Sequence, residues 1–254
     1  SAYAKNEADK GGWRGARRFR VTGKVAESEE ITSFYLQPVD GGAVPEFVPG
    51  QYLGLRFVID GEEMRRNYSL SAAPNGRELR ISVKREEGGR ISNYLHDEVQ
   101  VGAELEVFPP AGDFVLEDSD KPLALITAGV GITPAVAMLE QALQSGREVR
   151  FIHFARHGGV HAFREWLDEK SAQHPQLKRF YCYSEPREGD QADAEGFSSA
   201  ALLNDWLPEQ RDLDAYFLGP KPFMAQVKKQ LAELGVPQAQ CRYEFFGPAA
   251  ALEA

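Results

Sequence analysis

The sequence predicts two architectures in series: an all-β antiparallel barrel, then an α/β doubly wound parallel sheet. Three observations carry this. A chain of 254 residues has room for two modest domains. From about Arg18 to Glu117, short strand-like segments recur between Gly, Pro and Asn, as in a barrel. From Lys121 onward, compact apolar strands alternate with helix-length segments, as in a parallel sheet covered on both faces.

In the first half the expected strands are Arg18–Val25, Ile31–Leu36, Tyr52–Ile59, Leu79–Lys84 and Glu104–Phe108, with a further barrel strand through Arg66–Ser69. Phe19 and Val21, and Leu53, Leu55 and Phe57, alternate with polar residues at the period of a strand. Pro74-Asn75-Gly76 signals a turn. A short helix is expected over Ser92–His96, with Ser92 as its N-cap. In the second half the expected strands are Leu123–Thr127, Val149–Ala155, Phe180–Ser184, Ala215–Leu218 and a terminal Arg242–Phe246. Between them lie helices over Pro134–Gln144, Phe163–Ser171, Ser198–Leu203 and Pro222–Leu234. The polar stretch Asp118–Lys121 marks the boundary, giving a tail over 1–17, a barrel over 18–118 and an α/β domain over 119–254.

Composition narrows the function classes. A net charge of −9 argues against a general nucleic-acid binder, which needs a basic surface to release counterions. The local cluster Arg14, Arg17, Arg18 and Arg20 reads as a solvated strand edge. No apolar run is long enough to span a bilayer, and no secretory signal opens the chain, so a reducing cytoplasm is expected. Cys182 and Cys241 read as reduced thiols, too few for a four-thiolate cluster. The five histidines show no metal-ligand spacing, and no metal site is expected.

Five stretches could carry chemistry. Gly129-Val130-Gly131-Ile132-Thr133-Pro134 follows an apolar strand and opens a helix. Its glycines allow close approach of a ligand, and the helix start offers free N–H groups to a phosphate. An ordinary strand-to-helix turn reads the same way. Arg66-Asn67-Tyr68-Ser69 could pair a pyrophosphate, pack a ring on a flavin and hydrogen-bond its edge near N5. Arg66 and Tyr68, two apart, share a strand face; a plain amphipathic strand is the alternative. Gly88-Gly89-Arg90-Ile91-Ser92 runs into a helix start and is either a phosphate site or a hairpin loop. Gly219-Pro220 stands at the carboxyl end of a parallel strand, where ligands bind in open sheets, and reads equally as a helix-initiating turn. The tail Tyr243-Glu244-Phe245-Phe246-Gly247-Pro248 joins aromatics to a carboxylate.

In order, these stretches resemble the landmarks of the ferredoxin–NADP reductase superfamily. The resemblance is nearer still to the reductase half of flavohaemoglobins, the nitric oxide dioxygenases. It extends through Gly11-Gly12-Trp13, Ile31-Thr32-Ser33-Phe34, Val48-Pro49-Gly50-Gln51-Tyr52, Ile81–Glu86 and Val160-His161-Ala162-Phe163, and so covers nearly the whole chain. It implies a six-stranded FAD-binding barrel and an NAD(P)-binding α/β domain. The implied enzyme is an NAD(P)H oxidoreductase passing hydride to FAD and electrons to a haem globin. Another acceptor, or a low-turnover redox-sensing subunit, are the rival readings. By resemblance Arg66, Asn67, Tyr68 and Ser69 hold the FAD, with Tyr52 and Lys84 beside it and Gly89, Ile91 and Ser92 on the pyrophosphate. Gly129, Val130, Gly131, Ile132, Thr133 and Pro134 receive the nicotinamide coenzyme with Gly219 and Pro220. Ser69 and Glu244 act at the flavin, Glu244 tuning its potential, and Phe245, Phe246, Gly247 and Pro248 cover it. The family often has Cys or Val where this chain has Phe245, a bulkier ring expected either to narrow nicotinamide access or to shift the redox potential. Arg156, after the second parallel strand, could meet a 2′-phosphate; no basic cluster surrounds it, so NADH is favoured over NADPH.

Overall fold

The structure is a computed structural model describing residues 12–245. Two compact units divide the chain, the first running to Leu116 and the second holding most of the chain from Glu117.

The first unit is a six-stranded antiparallel sheet of β1 (Arg17–Ala26), β2 (Ile31–Pro38), β3 (Tyr52–Ile59), β4 (Glu62–Ser69), β5 (Leu79–Lys84) and β6 (Glu104–Val107), in the order β4-β3-β6-β1-β2-β5. A bridge between Leu70 and Ile81 ties the end of β4 to β5 and curls the sheet toward closure. The alternation legible in sequence sets the core. Phe19 and Val21 of β1 face Phe34, Leu36, Leu53, Leu55 and Ile81 inside, while Arg18 and Arg20 stay outside. A register shift between Val21 and Gly23 bulges β1 against β2, as bending a strand around a barrel requires. Helix α1 (Arg90–Glu98) adds Ile91 and Leu95 to this core. It starts two residues before the expected Ser92, and its N-cap is Gly89, without a side-chain cap. At Pro74–Gly76 the expected turn forms: Asn75 Oδ1 accepts from the N–H groups of Arg77 and Glu78, and Gly76 takes φ +72°. The basic cluster is spent on carboxylates, Arg17 on Asp40 and Arg18 and Arg20 on Glu104.

The second unit is a parallel sheet of β7 (Leu123–Ala128), β8 (Val149–Ala155), β9 (Leu177–Tyr183), β10 (Ala194–Glu195), β11 (Asp214–Leu218) and β12 (Cys241–Tyr243), ordered β10-β9-β8-β7-β11-β12. Its helices are α2 (Ile132–Gln144), α3 (Arg164–Gln173), α4 (Ala200–Trp206) and α5 (Lys221–Glu233). No described helix is long and apolar enough to cross a membrane. Strands covered on both faces need apolar residues at every position, which is why Leu123–Ile126 read as an unbroken run. The two-residue β10 gave no sequence signal. The last strand stops at Tyr243, short of the expected Phe246, because its partner β11 has nearly run out: Phe217 pairs with Tyr243, and the chain then turns at Gly219-Pro220. Cys182 is buried and Cys241 half-buried, both as free thiols.

Candidate functional site

In the barrel unit, β4 carries the tetrad. Its register sets Ser69 against Tyr52, Tyr68 against Leu53, Asn67 against Gly54 and Arg66 against Leu55. Directly opposed residues share a face, so Arg66 and Tyr68 lie on the side of the core leucines. Asn67 and Ser69 lie on the other side with Tyr52. The tetrad therefore presents two surfaces rather than one. Burial pushes the Tyr68 hydroxyl pKa up, while the neighbouring Arg66 charge pulls the other way, so the two groups share one electrostatic environment. The Tyr52 ring packs on Gly112, where an added Cβ would stand 3.0 Å from it.

The barrel's cations separate into two kinds. Arg56 and Arg65 are ion-paired with Glu63, and Arg85 and Arg90 pair with Asp97, Asp60 and Glu62. Among the described residues Arg66 and Lys84 meet no carboxylate; Arg66 donates only to the carbonyl of Arg65, at 2.7 Å. Two half-buried cations without acids, Arg66 beside the Tyr68 hydroxyl, are a donor set that fits a phosphate-bearing aromatic cofactor. Beside them, the turn before α1 is built by Ser92. Its Oγ accepts from the Glu86 N–H at 3.0 Å and donates to the Gly89 carbonyl at 3.3 Å. Ser92 is thus a bond inside the turn rather than the N-cap expected of it. The first-turn N–H groups of α1, Ile91 and Ser92 included, have no acceptor within the helix.

In the α/β unit the strand order reverses between β7 and β11, which makes the crevice at their carboxyl ends the ligand position of an open sheet. Two stretches singled out in sequence meet there. Gly129–Gly131 forms a single 3₁₀ turn after β7, and Gly219-Pro220 follows β11. A Cβ on Gly131 would stand 2.3 Å from the Leu218 carbonyl oxygen and 2.9 Å from the Gly219 nitrogen. A Cβ on Gly219 would stand 2.7 Å from the Phe223 ring. Gly129 is needed for a different reason, a φ of +56° with open space around it. Thr133 Oγ1 donates to the Val130 carbonyl at 3.1 Å and fixes the turn, with Ile132 and Pro134 beside it in the first turn of α2. Gly131 and Gly219 thus let the two loops pack on each other, while the open backbone at Gly129 fits close approach of a dinucleotide. Phe245 joins it from the tail: the Lys221 ammonium, at the start of α5 beside Pro220, lies 4.6 Å from its ring centroid. Glu244 stands just past β12, and Phe246, Gly247 and Pro248 lie outside the described residues.

Three groupings had no sequence signature. Ser33, Ser82 and Ser71 form a buried hydroxyl chain, with Oγ separations of 2.7 and 2.8 Å, from Glu27 to Arg80. His153 and His161 lie tilted at 38° with ring centroids 4.6 Å apart, their Nδ1 atoms 2.7 Å from Thr127 Oγ1 and Tyr183 Oη. Burial holds both imidazoles neutral, His153 pushed down to about 3 and His161 well below its ordinary value. Asp190 accepts from the Gly158 and Arg187 N–H groups at 2.9 and 2.8 Å and so links two loops. All three join residues far apart in the chain, which periodicity and spacing cannot relate.

A curled antiparallel barrel followed by a doubly wound sheet with a glycine-lined switch crevice defines a two-domain flavin–nicotinamide oxidoreductase. The comparisons agree. Residues 18–116 match the oxidoreductase FAD-binding domain and residues 125–229 the oxidoreductase NAD-binding domain. The flavohemoprotein of Pseudomonas aeruginosa is 72% identical over the whole of this chain, which spans 65% of that relative's length. The flavohemoprotein of Burkholderia sp. is 62% identical over all of this chain and 65% of its own length. The crystal structure of the flavohem-like FAD/NAD-binding domain of nitric oxide dioxygenase from Vibrio cholerae is 40% identical, with a TM-score of 0.85, covering 92% of this chain and all of that one. The chain belongs to the FAD- and NAD-binding reductase family of the flavohaemoproteins. It is an NAD(P)H oxidoreductase whose cofactors are FAD and a nicotinamide dinucleotide.

Proposed function

We propose that this chain is the reductase module of a cytoplasmic nitric oxide dioxygenase, delivering electrons to a haem globin. The observation that carries the reading is the match, over 92% of this chain, to the flavohem-like FAD/NAD-binding domain of a nitric oxide dioxygenase. Residues 18–118 form the flavin domain and residues 119–254 the nicotinamide domain. When bound, FAD supplies the chemistry, accepting a hydride from the nicotinamide and passing electrons on singly.

The chain's own residues bind and orient. Arg66 and Lys84 neutralise the flavin's pyrophosphate, a role supported by their lack of carboxylate partners. The N–H groups of Gly89, Ile91 and Ser92 approach the same anion, where the positive end of α1 favours it. Tyr68 packs on the ring system. Ser69, on the opposite face with Tyr52 and Asn67, holds the flavin edge by its hydroxyl, and Glu244 sets the potential there. Gly129–Pro134 and Gly219-Pro220 accept the nicotinamide half, and Phe245, with Phe246, Gly247 and Pro248, excludes water. No general base is needed for a hydride step, so the requirement on the protein is distance and orientation.

The test is spectroscopic. The purified chain, reconstituted with FAD, should bleach on anaerobic NADH and then reduce a ferric flavohaemoprotein globin domain stoichiometrically. Bleaching without globin reduction would assign the chain to a different acceptor.

A further inference from the structure

β12 is a short end to its sheet. It is an edge strand, paired with β11 from Cys241 to Tyr243, and the ladder stops where Tyr243 meets Phe217. Glu244 follows directly, so its place depends on what holds the residues on either side of it. Both of those residues are aromatic, and both meet α5. The Tyr243 ring stacks on Phe217 with centroids 5.1 Å apart. The Lys228 ammonium lies 5.3 Å from the Tyr243 centroid and donates to its hydroxyl oxygen at 3.2 Å. Phe245 is half-buried against the apolar core of the α/β unit, with the Lys221 ammonium 4.6 Å from its centroid.

Lys221 and Lys228 are seven positions apart, about two helical turns, and so share one face of α5. The chain end passes them in reverse order, Lys228 with Tyr243 and Lys221 with Phe245, as expected where a strand of a parallel sheet runs back along the helix before it. Two features mark these lysines as placed for the rings. Among the described residues neither ammonium has a carboxylate within ion-pair distance. Lys221 also opens α5, whose first turn holds no acidic residue. The positive end of a helix dipole disfavours a cation there, and the Phe245 ring face offsets this, because it attracts a cation within about 6 Å.

We propose that Lys221 and Lys228 are positioning residues, two cationic clasps that hold the Phe245 and Tyr243 rings on α5 and so fix Glu244 between them. Each clasp depends on the charge of its ammonium. A side chain of similar length without the charge keeps its stem against the ring but loses the attraction of the ring face. At exposed sites one such contact biases the closed position about twofold to fivefold, and two independent ones about fivefold to thirtyfold. The consequence for the flavin rests on the reading of Glu244 as the carboxylate that sets its potential. With the clasps open, that carboxylate no longer opposes the negative charge that reduction brings, and the potential rises.

Hydrogen–deuterium exchange of residues 241–245 reads the clasps directly, with and without FAD, because exchange follows local opening. Lys221→Met and Lys228→Met keep the stem and lose the charge. Each should speed exchange of that segment about twofold to fivefold, and the double variant about fivefold to thirtyfold. Lys221→Arg and Lys228→Arg keep a cation over the ring and should stay near the parent. Should the double variant fail to fold, the single variants decide. The midpoint potential of the bound flavin, read by dye equilibration at fixed pH, should rise in the double methionine variant and return in the double arginine variant. Parental exchange in the methionine variants overturns the proposal, since apolar packing then holds the segment unaided. Arginine variants that exchange as fast as the methionine ones overturn it equally, since charge is then not the hold. Faster exchange at a parental potential upholds the clasps and removes the reading of Glu244 instead.

Discussion

Replacing Gly131 with alanine sets a methyl carbon 2.3 Å from the Leu218 carbonyl oxygen, 2.5 Å from its carbon and 2.9 Å from the Gly219 nitrogen. All three are backbone atoms of the neighbouring strand end, so no side chain can swing aside. The residue's φ of −58° is ordinary, and the cost is therefore purely one of space. The ends of β7 and β11 must part by about 1 Å, and overpacking of this kind costs about 1–3 kcal/mol. Unfolding of a unit of this size should then shift by roughly 2–12 °C. Gly129 is the control. Alanine there meets nothing within 4 Å but must hold φ near +56°, a penalty of about 1–2 kcal/mol, which asparagine largely avoids. Gly131→Ala should also weaken NAD⁺ binding, because the parted crevice is the proposed coenzyme site, while FAD content stays at the parental level. The assays are differential scanning calorimetry, extracted flavin and NAD⁺ titration. Parental melting together with parental NAD⁺ affinity in Gly131→Ala would refute the crevice as drawn.

Arg66→Ala removes a charge-assisted phosphate contact worth about 1.5–3 kcal/mol, so FAD affinity should fall roughly tenfold to a hundredfold; fluorescence titration of the apoprotein measures it, and parental affinity would make Arg66 a surface residue. The buried imidazoles of His153 and His161 stay neutral in the fold, facing Thr127, Tyr181, Tyr183, Arg164 and Arg179, but take up protons once unfolded. Their folded pKa values are depressed, so their contribution is complete above about pH 6.5 and lost as pH falls, for His153 toward about 3. Below pH 6.5 stability should fall by about 1.4 kcal/mol per pH unit for each neutral imidazole. Urea midpoints at several pH values read this slope, and His153→Gln should reduce it; equal slopes in parent and variant would contradict the account. Ser82→Ala leaves Ser33 and Ser71 without their shared hydroxyl and should cost about 1–3 kcal/mol; a neutral effect on urea denaturation would show that water replaces it.

The barrel strands were legible because one wetted face and one buried face impose a period of two, plain in Phe19 and Val21 or Leu53, Leu55 and Phe57. The parallel strands were legible for the opposite reason, as unbroken apolar runs. Errors fell where a residue's partner lay outside its own segment. Ser92 looks like a helix cap in isolation, yet its hydroxyl bonds back to Glu86. Glu244 and Phe245 look like strand, yet the pairing of β11 with β12 stops at Phe217 and Tyr243, with only Leu218 of β11 beyond it. At the candidate site, the glycines of both loops stood out, and the fold alone revealed that Gly131 and Gly219 meet. Arg66 and Tyr68 were readable as a pair; their separation from Ser69 by sheet face required the register. The bond of Asp190 to Gly158 was invisible, because the two lie on different loops.

The neighbours of β7 have a consequence for synthesis. Leu123–Ala128 is paired on one side by β8, which follows it closely, and on the other by β11, which the ribosome delivers only at Asp214. Until then β7 is an apolar strand with an open edge, the kind of surface that recruits other chains. Fragments ending before Asp214 should therefore clump during expression, and the crevice between β7 and β11 can exist only once β11 has emerged. By this topology the proposed coenzyme position forms only after β11 is made, so a chain truncated before Asp214 yields no partially competent enzyme.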